Sequence, residues 1–280
     1  MGSALLPPPP SLGVFDSGLG GLTVVREIRR RMPGESLVYV GDTGNAPYGA
    51  LPEARIRDLS LGLARFLLTD FGCRGLVIAC NTATAAAAEA VRAATRPVPV
   101  VAMEPAVKPA TRATKTGIVG VLATVGTLTS ARFAALLERY RGEVEFLTQP
   151  CPGFVEAVEE GRVHTAETRA LVEGCVRPLI ERGADTLVLG CTHYPVLRPL
   201  IAEAAGPGVT LIDTGDAVAR RVAEVFAPAS GSGEGRLELF TTGDTRAFAR
   251  GVAAILGLSS PPAVRRLIWK NGELTTDATN

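Results

Sequence analysis

Two stretches decide the reading of this chain: GCRGLVIACNT, from Gly72 to Thr82, and GADTLVLGCTH, from Gly183 to His193. Each is a short unbroken apolar run that ends in a cysteine and passes into small polar residues. A run of this kind, opened by glycine, reads as a strand buried on both faces, as in parallel sheets. A second pair of phrases repeats with them. LGVFDS lies over VGVLAT with Ser17 on Thr124, at nearly the offset that lays Cys80 on Cys191. Two copies of one α/β unit are therefore expected.

Working outward, LGVF gives a strand, DSGLGG a turn, and Leu22 to Arg31 an Arg-studded helical pattern. SLVYVGD reads as a second strand, ARIRDLSLGLARFLLTDFG as an amphipathic helix, and GLVIACNTA as a third strand opening into a helix over Thr84 to Ala94. PVPVVAME is a fourth strand candidate. The pattern then restarts with the strand GIVGVLAT, a helix over Ala131 to Arg141, the strand EVEFLTQ, and helices around Phe154 to Glu160 and Thr165 to Gly183. TLVLGCTHYP and GVTLIDTGD close the second set. Strands alternating with helices predict an α/β fold: two pseudo-symmetric open domains with mainly parallel sheets and a site in the cleft between them. RLELFTTGD, after the flexible-looking SGSGEG, alternates like a strand that joins an edge of the first sheet. The expected organisation is a disordered Pro-rich leader over 1–11, a first domain from 12–103 and 212–280, and a second over 104–211.

In open parallel sheets, ligands bind beyond the carboxyl ends of the strands. The polar clusters fall at such ends: Asp16-Ser17, Gly41-Asp42 with Pro47-Tyr48-Gly49, Cys80-Asn81-Thr82, Thr124 to Thr127, and Cys191-Thr192-His193. Two facing domains would bring a thiol to each wall of one cleft. A cysteine at a helix N-terminus is expected to have its thiolate stabilised and its pKa lowered. Two such bases on opposite sides of one carbon suit inversion of a stereocentre, in which one removes a proton and the other returns one. Asp16 can assist on the Cys80 side and His193 on the Cys191 side. Hydroxyls, amides and helix-start N–H groups are suited to a carboxylate. Pyridoxal chemistry needs a Schiff-base lysine. Of the three lysines, Lys108, Lys115 and Lys270, none lies in these clusters, so catalysis without a cofactor is expected.

Composition narrows the classes further. The 280 residues, 46% hydrophobic, can fill one large or two medium cores. With 29 basic against 28 acidic residues, the net charge of +1 offers no general attraction to nucleic acid or anionic lipid. No apolar run approaches the roughly 18 residues of a membrane span, and MGSALLPPPPS lacks the marks of a signal peptide. A cytoplasmic protein with free thiols is the resulting expectation. Cys73, Cys151 and Cys175 read as core thiols and His164 as a surface residue. The spacing of Cys80, Cys191 and His193 does not match a zinc site, so no metal is expected.

FDSGLGGLTV, GDTGNAPYG, ACNTATA and LGCTHYP, in this order, resemble the glutamate racemases, cofactor-independent enzymes that make D-glutamate for peptidoglycan. The resemblance runs from Leu12 to about Asp216. It implies Cys80 and Cys191 as the proton donor and acceptor pair, assisted by Asp16 and His193, and a homodimer. It also implies substrate contacts at Asp16, Ser17, Tyr48, Gly49, Asn81, Thr82, Thr192 and His193. Thr124 and Thr127 are further candidates, either touching substrate or capping a helix. A catalytic glutamate is expected at Glu159, with Glu160 the alternative, although CPGFVEAVEEG carries Glu156 where the commoner form has proline. Three other readings stand beside this one. Aspartate or another amino acid needs the same proton chemistry. A Cys-His hydrolase would use Cys191 and His193, but two residues across a turn predict poor geometry, and Cys80 has no role. A binding module on the same frame needs neither thiol.

Overall fold

The computed structural model describes residues 11–226 and 233–277. The leader, apart from Ser11, and Ser230 to Ser232 of the linker lie outside the described residues. Among these residues, eleven strands form two sheets. They are β1 (Leu12–Asp16), β2 (Leu37–Gly41), β3 (Gly75–Ile78), β4 (Val100–Ala102), β5 (Ile118–Ala123), β6 (Glu145–Pro150), β7 (Thr186–Leu189), β8 (Thr210–Ile212), β9 (Leu237–Thr241), β10 (Arg265–Lys270) and β11 (Glu273–Thr276). The first sheet runs β11-β10-β9-β2-β1-β3-β4 and the second β6-β5-β7-β8. Every pairing is parallel except β10 with β11.

The duplication is visible in the topology. Laying β1 on β5 and β3 on β7 makes the order β2-β1-β3-β4 match β6-β5-β7-β8. The central strands β1, β3 and β7 are buried at every residue, because helices cover both faces and an apolar side chain is favoured at each position. One face of the first sheet packs Val14, Leu22, Val25 and Val222; the other packs Phe15, Leu63, Ile78 and Phe240. The second sheet has the same arrangement, with Phe154, Val176 and Leu189 on one side and Val107, Val121 and Phe133 on the other.

The C-terminal segment returns to the first sheet. β9 pairs with β2, and its other side is taken by β10, so β9 is an interior strand rather than an edge. The hairpin turns on Asn271-Gly272, both at positive φ, the backbone that a two-residue turn demands. Two helices differ from the sequence expectation. The helix after β3 spans Asn81–Ala94 and starts three residues early, because Cys80 itself is the N-cap and accepts from the Ala83 N–H at 3.4 Å. The helix expected over Ala131 to Arg141 ends at Glu138, and a separate short helix, Val125–Leu128, precedes it.

Candidate active site

Each element of the site is a strand end. β1 delivers Asp16, which is wholly buried. Its Oδ1 accepts from the Ser17 N–H at 2.7 Å and the Ser17 hydroxyl at 3.2 Å. Its Oδ2 accepts from the Gly21 N–H and, across the cleft, from the Thr192 hydroxyl at 3.3 Å. β3 delivers Cys80, whose thiol lies 3.8 Å from the Ser17 hydroxyl. β7 delivers Cys191, 3.6 Å from His193 Nδ1, and the other ring nitrogen meets Glu159 Oε1 at 2.6 Å. The same oxygen accepts from the Leu19 N–H at 2.6 Å. A relay Cys191–His193–Glu159 is thus pinned to the turn after β1.

The glycines of DSGLGG have a second use beyond turning the chain. A Cβ at Gly18 would meet Glu159 Oε1 at 1.9 Å, and one at Gly20 would meet His193 Nδ1 at 2.4 Å. The turn is bare at Gly18 and Gly20 because Glu159 and His193 of the second lobe lean on it. Its backbone conformation is not the constraint.

The hydroxyl residues meet between the sheets. Thr82 Oγ1 lies 2.9 Å from Thr124 Oγ1 and 3.4 Å from Thr127 Oγ1, and the Thr124 hydroxyl donates to that of Thr127 at 3.0 Å. Gly49 is held against Thr124, where an added Cβ would come within 3.1 Å. Asn81 is 3% exposed, and neither atom of its amide has a partner among the described residues. Burying an unpaired amide costs free energy, so this group is set up for a polar ligand or water. All the expected residues therefore gather at one place. Glu160 does not: it is exposed and paired with Arg162, whereas Glu159 faces the cleft. Cys73, Cys151 and Cys175 sit in the cores, and His164 is exposed.

Two expectations need correcting. The helix N-terminus does not lower the Cys80 thiol. Burial and the Asp16 carboxylate push its pKa well above the ordinary range, outweighing the Ala83 N–H. Cys191 and His193 are not misplaced for a hydrogen bond, since the chain after β7 turns at once into the short helix Tyr194–Leu197 and swings the ring back over the sulfur. For His193, burial disfavours the charged ring, but Cys191 and Glu159 outweigh it and raise its pKa well above the usual imidazole range. Asp16 is raised by burial, with His193 opposing.

One residue of the strand-end polar clusters supports the site from behind. Asp42, fully buried at the end of β2, accepts from the Tyr48 hydroxyl at 2.7 Å, Trp269 Nε1 at 2.9 Å, the Thr242 hydroxyl at 2.6 Å and the Asn45 amide at 3.0 Å. It ties the Pro47-Tyr48-Gly49 loop to the C-terminal strands. With its hydroxyl engaged there, the Tyr48 ring packs into the first core, and its neighbours Pro47 and Gly49 face the cleft.

Residues 21–222 match the family model for Asp/Glu/hydantoin racemases. A glutamate racemase of Pseudomonas paraeruginosa is 56% identical over 216 residues, which is 77% of this chain and 81% of that protein. The chain belongs to the glutamate racemases of this family. Structures of the family carry the same frame. Glutamate racemase of Bacillus anthracis superposes with a TM-score of 0.83 at 32% identity, covering 94% of this chain and 98% of that one. The Escherichia coli glutamate racemase, solved with L-glutamate and the activator UDP-MurNAc-Ala, gives 0.82 at 31% identity, covering 93% and 99%. No helix among the described residues is long and apolar enough to cross a membrane. Nor do any three His, Cys, Asp or Glu side chains there cluster as a metal site would need.

Proposed function

We infer that the chain interconverts L- and D-glutamate and supplies D-glutamate for peptidoglycan. The observation that carries the mechanism is the pair of thiols at equivalent strand ends, each with a different acid/base partner. One sulfur, as thiolate, takes the α-proton from one face of the substrate. The electron pair left on the carbon is held by the flanking carboxyl group, and the thiol on the opposite wall delivers its own proton to the other face. The reverse reaction exchanges the two roles.

In this reading Cys80 and Cys191 are the catalytic pair. Asp16 serves Cys80, and His193, oriented by Glu159, serves Cys191. Ser17, Asn81, Thr82, Thr192 and the N–H groups of the helix that follows Cys80 hold the ammonium and carboxylate groups of the substrate. Tyr48, Gly49, Thr124 and Thr127 close the other end. The two lobes are 12–103 with 212–280, and 104–211, and the site is their seam. A homodimer working in the cytoplasm completes the proposal, and sedimentation of the purified chain tests the dimer.

Circular dichroism of L-glutamate mixed with the enzyme and no added pyridoxal phosphate should decay to zero. A signal that stays constant would refute the activity. L-aspartate under the same conditions should react far more slowly. Hydrolysis through a Cys191 acyl-enzyme is the weaker reading despite the 3.6 Å contact with His193, because it leaves Cys80, Asp16 and Asn81 without employment.

A further inference from the structure

A cavity of about 420 Å³ opens beside the site, lined by Pro47, Gly49, Thr124, Val125, Pro152 and Val155 together with Glu156. Gly49 and Thr124 belong both to this cavity and to the group proposed to hold the substrate, and Thr124 in turn touches Thr82, two residues from Cys80. Among the described residues that line the cavity, Glu156 is the one that carries a charge. Glu156, in the first turn of the helix Phe154–Glu159, is half-buried, and its carboxylate has no hydrogen-bond or ion-pair partner among the described residues. Glu159, on the same helix, spends its carboxylate on His193 and Leu19. Glu160 is neutralised by Arg162.

An unpaired carboxylate on a wall with no other charge has a definite effect on what passes it. Glutamate carries two carboxylates and one ammonium group at neutral pH, so its net charge is −1. We propose that this cavity is the approach to the thiols and that Glu156 sets substrate capture on it: a like charge that weakens capture of the anionic substrate and raises KM. The inference rests on the reading of the substrate as glutamate. A unit charge several ångströms away in a watery cleft changes occupancy by a factor of about three at low ionic strength, and salt removes most of that effect.

The test is steady-state kinetics on the full chain, Glu156→Gln and Glu156→Lys, in both directions, at about 10 mM and about 500 mM added salt. The expected result is a KM lowered about threefold by Glu156→Gln at low salt and further by Glu156→Lys. kcat should stay within about twofold, and all three proteins should converge at high salt. L- and D-glutamate are mirror images with an equilibrium constant of one, so kcat/KM must rise equally in the two directions, which checks the data internally. A KM that ignores the charge at 156, or that changes equally at both salt concentrations as a packing effect would, overturns the proposal. If the lysine variant does not fold, the glutamine variant alone decides. Failure of the unaltered chain to racemise glutamate would instead strike the underlying reading of function, and the Glu156 proposal with it.

Discussion

Cys80 and Cys191 end equivalent strands of two equivalent sheets, yet their surroundings have opposite sign. Cys80 faces the buried Asp16 carboxylate, and together with burial that anion pushes its thiol up. Cys191 faces His193, which Glu159 helps to keep protonated. The matching strand orders place the two sulfurs alike, and the residues beside them differ. In the proposed mechanism a symmetric pair of thiols is thus served by an asymmetric pair of assistants, as an asymmetric substrate requires. The difference also implies that kcat and KM taken separately will differ between L- and D-glutamate, although their ratio cannot.

The strongest way to break this comparison is to remove one wall at a time. Cys80→Ala and Cys191→Ala should each lower racemisation at least about a thousandfold, within the range that a lost general acid or base commands. Each should still exchange the α-proton of one enantiomer with solvent deuterium, because the remaining thiol can take and return a proton on its own face. The two variants should choose opposite enantiomers by NMR in deuterated water. Exchange of the same enantiomer by both would mean that the thiols do not face opposite sides.

The assistants can be separated next. With its thiol raised above the ordinary range, Cys80 is thiolate in only a small fraction of molecules at pH 7, so the rate should climb as pH rises toward 9. Asp16→Asn removes the anion that raises Cys80, and the acid limb of the pH–rate profile should move to lower pH. Glu159→Gln removes a group that raises His193, so there the alkaline limb should move to lower pH, with kcat reduced about 10- to 100-fold. Movement of the same limb in both variants would contradict the assignment of one partner to each wall.

Much of this was legible in the chain because burial on both faces leaves an unmistakable mark: β1, β3, β5 and β7 are apolar runs, and the repeated cysteine stands just beyond the ends of β3 and β7. The hairpin β10–β11 has its signal in Asn271-Gly272, a dipeptide that turns strands. Other features could not be read locally. The role of Asp42 depends on Thr242 and Trp269, which lie 200 and 227 residues away in sequence. Choosing Glu159 over Glu160 required the helix register that points one inward and the other to solvent. The protonation of Cys80 depended on how completely the folded lobes exclude water. That quantity belongs to the packing of the whole molecule, and the helix N-terminus seen in the sequence gave the wrong sign.

The smallest expected effect lies at the opposite ends of the same two strands, where the copies have also diverged. Ahead of β3, Arg74 donates to the buried Glu35 carboxylate at 2.6 Å. At the corresponding place ahead of β7 stands Asp185, which accepts from the Thr114 hydroxyl at 2.6 Å and from the N–H groups of Lys115 at 2.7 Å and Thr116 at 3.0 Å. Burial pushes the Asp185 pKa up, but these donors outweigh it and hold the group at about 2. A depressed carboxylate contributes stability that is present above its unfolded pKa, near 4, and is lost as pH falls through the folded value. Asp185→Asn should therefore cost about 1 kcal/mol at pH 7, discounted for its contact with solvent. In urea titrations the gap between the two proteins should narrow at pH 3. A gap that stays constant between pH 7 and pH 3 would show that shape rather than charge makes the amide a poor substitute, and that the anchor beneath Cys191 is not electrostatic.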